Sequence, residues 1–170
     1  MLDPAVCGTE RVTGLEGELT WKANSFLTLY TTLSVMDPRW TQLSAQALAT
    51  GVKLSDRPPL AYKSQGSAGI TITAPLSWSE LAFNANVNYV GDQYQQVVHL
   101  YSETVHIPSR TTADASLSFS NGPHTVTAAV KNLTNNTDRV VASDFSTFLF
   151  NNTTAFTPAE ARTWELKYRY

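Results

Sequence analysis

Apolar and polar residues alternate with a period of two along most of this chain, the spacing of a β-strand with two unlike faces. In the first such segment Leu15, Gly17, Leu19 and Trp21 share one face, and Glu16, Glu18, Thr20 and Lys22 the other. The second sets Leu27, Leu29, Leu33 and Val35 against Thr28, Thr32 and Ser34, with Tyr30 and Thr31 blurring the division. The third is short, with Ala68, Ile70 and Ile72 opposite Gly69, Thr71 and Thr73. The fourth is the cleanest: Leu81, Phe83, Ala85, Val87 and Tyr89 face one way, Ala82, Asn84, Asn86 and Asn88 the other. The fifth opposes Ala113, Ala115, Leu117 and Phe119 to Asp114, Ser116 and Ser118. A sixth, over residues 125–133, carries Val126, Ala128 and Val130 on one side. The last sets Trp164, Leu166, Tyr168 and Tyr170 against Thr163, Glu165, Lys167 and Arg169. These are seven predicted strands, each near the roughly 9–11 residues that cross a bilayer at a tilt. The best helix-period stretch, Ser44 to Thr50, is too short to compete.

The links between these strands alternate in length. Ala23 to Ser25, Ala74 to Ser77 and Asn121 to Pro123 are tight connections with Gly, Pro and Asn in turn positions. Asp37 to Tyr62, Asp92 to Pro108 and Thr134 to Thr157 are long. Outer-membrane barrels have this asymmetry, short periplasmic turns against long extracellular loops. A soluble sandwich has no reason to sort its loops by length.

Composition points the same way. Charged residues make up 15% of the chain, against roughly 25% in soluble domains. The 42% hydrophobic fraction offers no oily core in exchange. Strands with one apolar and one uncharged polar face fit a membrane barrel, apolar outside and polar within. Asn is depleted in ordinary sheets, yet a wet lumen hydrates the row Asn84, Asn86 and Asn88. A net charge of −2 with no basic patch gives no sign of nucleic-acid binding. The single Cys7 excludes an intramolecular disulfide framework. No run approaches the roughly 18 apolar residues of a membrane helix, and residues 1–12 have no secretory-signal pattern. The chain is therefore expected to be a fragment or an incomplete gene product, with an irregular lead over 1–13 and barrel strands over 14–170.

In this reading Leu15, Leu19, Trp21, Leu81, Phe83, Val87, Tyr89, Leu117, Phe119, Trp164, Leu166 and Tyr168 face lipid. Glu16, Glu18, Asn84, Asn86, Asn88, Asp114, Glu165 and Lys167 face the lumen. The last strand ends at the periplasm, so Trp21, Trp78, Tyr168 and Tyr170 fall near one interface and Tyr89 and Tyr94 near the other, as aromatic girdles do.

Several of these segments carry a family resemblance. Arg162 to Tyr170 resembles the C-terminal signature of outer-membrane barrels, in which alternating hydrophobics end in an aromatic residue. Trp164, Leu166, Tyr168 and Tyr170 then form the signal read by the barrel-assembly machinery. Val130 to Asn136, with its Asn132-Leu133 pair before a turn, resembles the penultimate strand of TonB-dependent receptors. Pro108 to Phe119, with Asp114 after a short polar lead, resembles the strand before it, and Asn88 to Asp92 the end of the strand before that. The chain therefore resembles the C-terminal part of the β-barrel of a TonB-dependent outer-membrane receptor of a Gram-negative bacterium, over most of 14–170.

The alternation reads as an all-β, antiparallel up-and-down transmembrane barrel segment of about seven strands, and the resemblance implies that it is an incomplete part of a 22-stranded barrel with an N-terminal plug. Its implied partners are outer-membrane lipid, the rest of the barrel and its plug, the TonB complex and the assembly machinery. The family imports scarce ligands such as ferric siderophores. Without a plug, a TonB box or the remaining strands, this chain is not expected to transport by itself, since barrel diameter scales with strand number.

No catalytic constellation, metal motif or cofactor site is expected. His99 and His106 share a predicted loop with Asp92 and Glu103, at a spacing that matches no metal motif, and His124 stands apart. Asn132, Asn135, Asn151 and Asn152 begin Asn-x-Thr triplets, better read as loop-forming residues than as glycan acceptors. Gly66 to Gly69 leads into a strand, not a helix, and so lacks the context for anion binding. The charges Glu16, Glu18, Lys22, Asp114, Lys131, Glu165, Lys167 and Arg169 serve either as plug or solute contacts or as cross-strand pairs. Two other architectures remain: a soluble β-sandwich binding module of carbohydrate or adhesion type, and a small complete barrel with an eighth strand in residues 1–12. Burial of Leu81, Phe83 and Val87 separates the sandwich from the barrel wall, because only a sandwich covers that row with a second sheet.

Overall fold

The computed structural model describes residues 8–49, 51–94, 106–144 and 154–170. Its strands are β1 (Gly8–Lys22), β2 (Leu27–Leu43), β3 (Ser64–Pro75), β4 (Glu80–Val90), β5 (Gln93–Tyr94), β6 (His106–Ile107), β7 (Arg110–Asn121), β8 (His124–Lys131), β9 (Arg139–Asp144), β10 (Thr154–Pro158) and β11 (Thr163–Arg169). A one-turn helix, α1 (Ala45–Ala49), follows β2. Seven strands form one sheet in the order β1-β2-β3-β4-β7-β8-β11, every neighbouring pair antiparallel. The order follows the chain, with only the small pairs β5–β6 and β9–β10 interposed in the long links. The sheet is open, with β1 and β11 at its two ends. It is an incomplete up-and-down barrel.

The tight links are built by local chemistry. Asn24 Oδ1 accepts the Phe26 and Leu27 amides at 2.8 and 2.9 Å, closing the β1–β2 turn. The β3–β4 turn closes through the Leu76 amide to the Ser79 carbonyl at 2.8 Å. Between β7 and β8 only Gly122 and Pro123 intervene. Gly122 has φ +55°, a glycine value, and proline fixes the next φ negative, as a type II′ hairpin turn requires.

Two boundaries differ from those read in the sequence. β1 begins at Gly8, so residues 8–13 belong to the strand and not to the irregular lead expected over 1–13. β2 runs on through Pro38 to Leu43, where a loop was expected from Asp37. Proline is tolerated because of where its missing N–H would point. The Met36 amide bonds the Lys63 carbonyl at 2.8 Å on the β3 side, so position 38 aims the same way, above the point where β3 has ended. There β2 has a free edge, and proline suits a free edge. The β1–β2 hairpin therefore overhangs the rest of the sheet, paired by Val12 with Pro38 and Arg11 with Arg39. No separate eighth strand precedes it among the described residues.

The sheet has almost no apolar interior. Trp40, Ala47 and Val52 form a small buried cluster with Leu43 against it, at the base of the first long loop. Ser44 caps α1, its Oγ accepting the Ala47 amide at 3.1 Å.

Within the sheet one close fit fixes two strands. Gly69 lies directly across from Tyr30, and the Tyr30 ring occupies the space a Cβ at position 69 would need. A large ring laid over a cross-strand glycine covers otherwise bare backbone. Gly69→Val is expected to cost about 1–3 kcal/mol through overpacking, read as a lower urea midpoint of the folded barrel. In a Tyr30→Ala background the same substitution should cost less, and equal penalties in both backgrounds would refute the contact.

Candidate functional site

Strand register sorts the side chains into two surfaces. Leu15 pairs with Val35, Leu29 with Ile70, Ile72 with Phe83, Phe83 with Leu117, Leu117 with Ala128 and Ala128 with Leu166. One face thus collects Leu15, Leu19 and Trp21 with Leu81, Phe83, Val87, Tyr89, Leu117, Phe119, Trp164, Leu166 and Tyr168. This face is bare. Leu15 is 78% exposed, Val87 47% and Leu166 77%, so no second sheet covers it and a sandwich is not favoured. On β4 the apolar row from Leu81 to Tyr89 spans eight residue steps, about 27 Å along the strand. At a tilt of about 40° that is about 21 Å, close to the apolar band of membrane barrels.

The opposite face holds Glu16, Glu18, Asn84, Asn86, Asn88, Asp114, Glu165 and Lys167, and it is cross-linked. Glu16 accepts the Ser34 hydroxyl at 3.1 Å, Thr32 and Ser67 share a bond of 2.7 Å, and Thr71 donates to Asn84 Oδ1 at 2.9 Å. Ser118 and Thr127 follow at 2.8 Å, then Ser120 and Thr125 at 3.1 Å. At the far end Glu165 bridges Lys131 at 2.8 Å and Lys167 at 2.6 Å. Near β1 this face has a shallow depression of about 340 Å³ lined in part by Glu16, Glu18, Thr32, Ser34 and Gln65.

The two rims differ as well. At the tight-turn rim Trp21, Trp78, Tyr168 and Tyr170 are exposed. Trp78 meets Phe119 edge to face at 5.7 Å between centroids, and His124 bonds the Tyr168 hydroxyl at 2.6 Å and packs against Tyr170. The other rim is organised by two polar knots. In the first, Arg57 donates to Asp92 Oδ2 at 2.8 Å and to the Asp92 carbonyl at 3.1 Å, and lies 5.7 Å from the Tyr94 ring. His106 Nε2 stands 3.2 Å from the same Asp92 oxygen. The Leu60 amide bonds the Tyr94 carbonyl at 2.6 Å, so the first long loop is clasped to the stem of the second.

The second knot centres on Asn132, which is buried with φ +49°. Its amide donates to Asp114 Oδ1 at 2.8 Å, and its Nδ2 to the carbonyls of Asn136 and Glu160, each at 2.8 Å. Its Oδ1 accepts the Thr134 hydroxyl at 2.9 Å and the Asn136 amide at 3.1 Å. Asn135, at φ +52°, accepts the Arg162 amide at 3.1 Å. Asparagine tolerates this left-handed backbone better than other side-chain-bearing residues.

The sequence reading placed His106 and Asp92 in one loop but found no role for Arg57, which arrives from a different link. His99, Glu103, Asn151, Asn152 and Cys7 lie outside the described residues. Among the described residues no three His, Cys, Asp or Glu side chains converge as a metal site, and no helix is long and apolar enough to cross a membrane.

The family model described as "TonB dependent receptor-like, beta-barrel" matches residues 4–133. The chain belongs to the TonB-dependent receptor family. No curated protein matches the sequence. The ferric yersiniabactin uptake receptor of Yersinia pestis is similar in structure, with a TM-score of 0.78 and 16% identity over 96% of this chain and 24% of that receptor. The ferric preacinetobactin receptor of Acinetobacter baumannii gives 0.70 and 21% identity, over 94% of this chain and 22% of the receptor. A siderophore receptor from the same bacterium gives 0.69 and 16% identity, over 92% and 21%. This chain of the TonB-dependent family thus spans at most 24% of the length of these receptors, and at such identities the likeness establishes the fold.

Both knots make testable demands. Asn132→Ala is expected to cost about 1–3 kcal/mol, because it strips partners from the Asn136 amide and from the Asn136 and Glu160 carbonyls, and Asn132→Asp should cost at least as much, because a carboxylate oxygen would then face both carbonyls. Urea midpoints of the folded barrel compare the two. At the first knot, burial pushes the Asp92 carboxyl up, but the hydrogen bonds from Arg57 and His106 outweigh it and hold the group below the usual aspartate range. A depressed folded value means the contribution is present above the ordinary value of about 3.9 and is lost as pH falls through the folded one. Hydrogen-exchange protection of the Leu60 amide should therefore drop below about pH 4, and Asp92→Asn should remove that step.

Proposed function

We propose that this chain is a stretch of the outer-membrane wall of a Gram-negative uptake receptor, with residues 8–170 as the C-terminal portion of its barrel. The apolar face of β1 to β4, β7, β8 and β11 lies against lipid and is the convex side. The polar face, with Glu16, Glu18, Asn84, Asn86, Asn88, Asp114, Glu165 and Lys167, lines the lumen in which the plug sits. The tight turns and Tyr170 are periplasmic, and the two polar knots hold the extracellular loops. Trp164, Leu166, Tyr168 and Tyr170 serve as the strand read by the barrel-assembly machinery.

The observation that carries this reading is the inversion of burial. Large apolar side chains stand free across the whole width of the sheet, while hydroxyl, amide and charged groups on the other face bond one another. In water that arrangement would leave an apolar patch far beyond the few hundred Å² typical of monomers. In lipid it is the favourable one. The ligand we propose is a ferric siderophore, since the structures compared above are a ferric yersiniabactin uptake receptor, a ferric preacinetobactin receptor and a siderophore receptor. Transport belongs to the whole receptor, with its plug and its contact to TonB, and this stretch does not transport alone.

Substitutions at adjacent positions on opposite faces test the reading in the receptor that contains this sequence. Ala85→Arg, mid-height on the apolar face, is expected to cost about 2–4 kcal/mol of folding in the membrane, and to cut both outer-membrane level and ferric-siderophore uptake. Asn86→Arg should leave the level near wild type. Equal loss from both, or a wild-type receptor found in the soluble fraction, would sink the proposal.

A further inference from the structure

Above its apolar belt, the face of β1 and β2 that carries Leu15 and Val35 changes character. Beyond the Leu15–Val35 pair, Thr13 stands opposite Asp37 and Arg11 opposite Arg39. Alternation keeps Arg11 and Arg39 on the face of Leu15 and Val35. Arg39 Nη2 pairs with Asp37 Oδ2 at 2.7 Å, with the two side chains 69% and 52% exposed. Arg11 is exposed and has no ion-pair partner among the described residues. Lys63 lies within electrostatic reach of Asp37. On this face two arginines thus share one carboxylate, a net charge of +1, and Lys63 adds its field at Asp37.

Two like charges directly opposed across an antiparallel pair repel, and one carboxylate answers only half of that pair. An anion set between the guanidiniums removes the repulsion. Its height is fixed by the register. Arg11 lies four residues beyond Leu15, about 14 Å along the strand and about 10 Å higher at a tilt of about 40°. The headgroup layer of a bilayer occupies about 5–8 Å on each side of the hydrocarbon, and arginine stems bend back toward it.

We propose that Arg11 and Arg39 form a binding site for the phosphate groups of an outer-leaflet lipid. The planar guanidinium fork matches phosphate oxygens two at a time. The occupant is a lipid because the cationic pair lies on the same face as Leu15 and Val35, with only the Thr13–Asp37 pair between them. One molecule meets Leu15 and Val35 with its acyl chains and the two arginines with its headgroup. The inference rests on the wall reading above, which sets this face in lipid and this rim outside.

The test uses the receptor containing this sequence, purified from outer membranes into nanodiscs of phosphatidylcholine with or without phosphatidylglycerol, and native mass spectrometry counts retained lipid. Replacing both arginines, R11Q with R39Q, is expected to weaken phosphatidylglycerol retention about 30-fold at low salt, about fivefold for each arginine. Phosphatidylcholine retention should not change, and Asp37→Asn should strengthen phosphatidylglycerol retention. Equal retention by wild type and the double variant, both folded in the outer membrane, overturns the lipid site and leaves the wall reading intact. Binding of inorganic phosphate with no preference for phosphatidylglycerol discs also overturns it, in favour of a free-anion site. A wild-type receptor absent from the outer membrane overturns both readings together.

Discussion

Within hydrocarbon a peptide N–H or C=O finds no water, and its only partners are on the neighbouring strand. Under the function proposed above, that constraint organises this sheet. Each of the seven strands pairs with the next of the seven in chain order, so no crossing chain has to pass through the face. It also explains where irregular backbone occurs. Pro38 and the Thr9/Glu10 register shift sit in the overhanging hairpin, and the left-handed Asn132 and Asn135 follow the end of β8. The outer edges of β1 and β11 carry backbone groups with no partner in the sheet, and in a receptor wall further strands would cover them.

The energetics that follow are those of a soluble protein turned inside out. Almost no apolar side chain is buried in the sheet, so hydrophobic burial against protein contributes little. Cohesion comes from the backbone ladder, from hydroxyl and amide pairs such as Thr32–Ser67 and Ser118–Thr127, and from fits such as Tyr30 over Gly69. The Glu165 bridge to Lys131 and Lys167 joins β8 to β11 on the polar face. Charges on that face thus act partly as structure.

The strands were legible because their signal is local and repeated. Asn84, Asn86 and Asn88 alternating with Phe83, Ala85 and Val87 announce a strand with unlike faces from one stretch of sequence. The start of β1 was not legible, since Glu10, Arg11 and Val12 interrupt the alternation and nothing local names their partners. The far end of β2 was hidden by Pro38, whose acceptability depends on β3 having ended beside it. The loop clasp was invisible for another reason: Arg57 and Asp92 stand 35 positions apart, and their meeting depends on how two irregular segments fold back. Asn132 was readable as a turn residue, but not as a hub for six hydrogen bonds.

The sequential pairing order has a consequence for how such a wall tolerates genetic change. Each strand takes its register only from the one before it, so an inserted or deleted residue inside a strand inverts the remainder of that strand. Every later strand would then have to be re-registered or lose its neighbour. Insertions of any length in the segments after β2, β4 and β8 leave the parity of the faces untouched. Variation in length should therefore gather at one rim, the rim of the long links, while the strands keep their spacing residue by residue. The wall acts as a fixed ruler, and its loops are free to be rewritten.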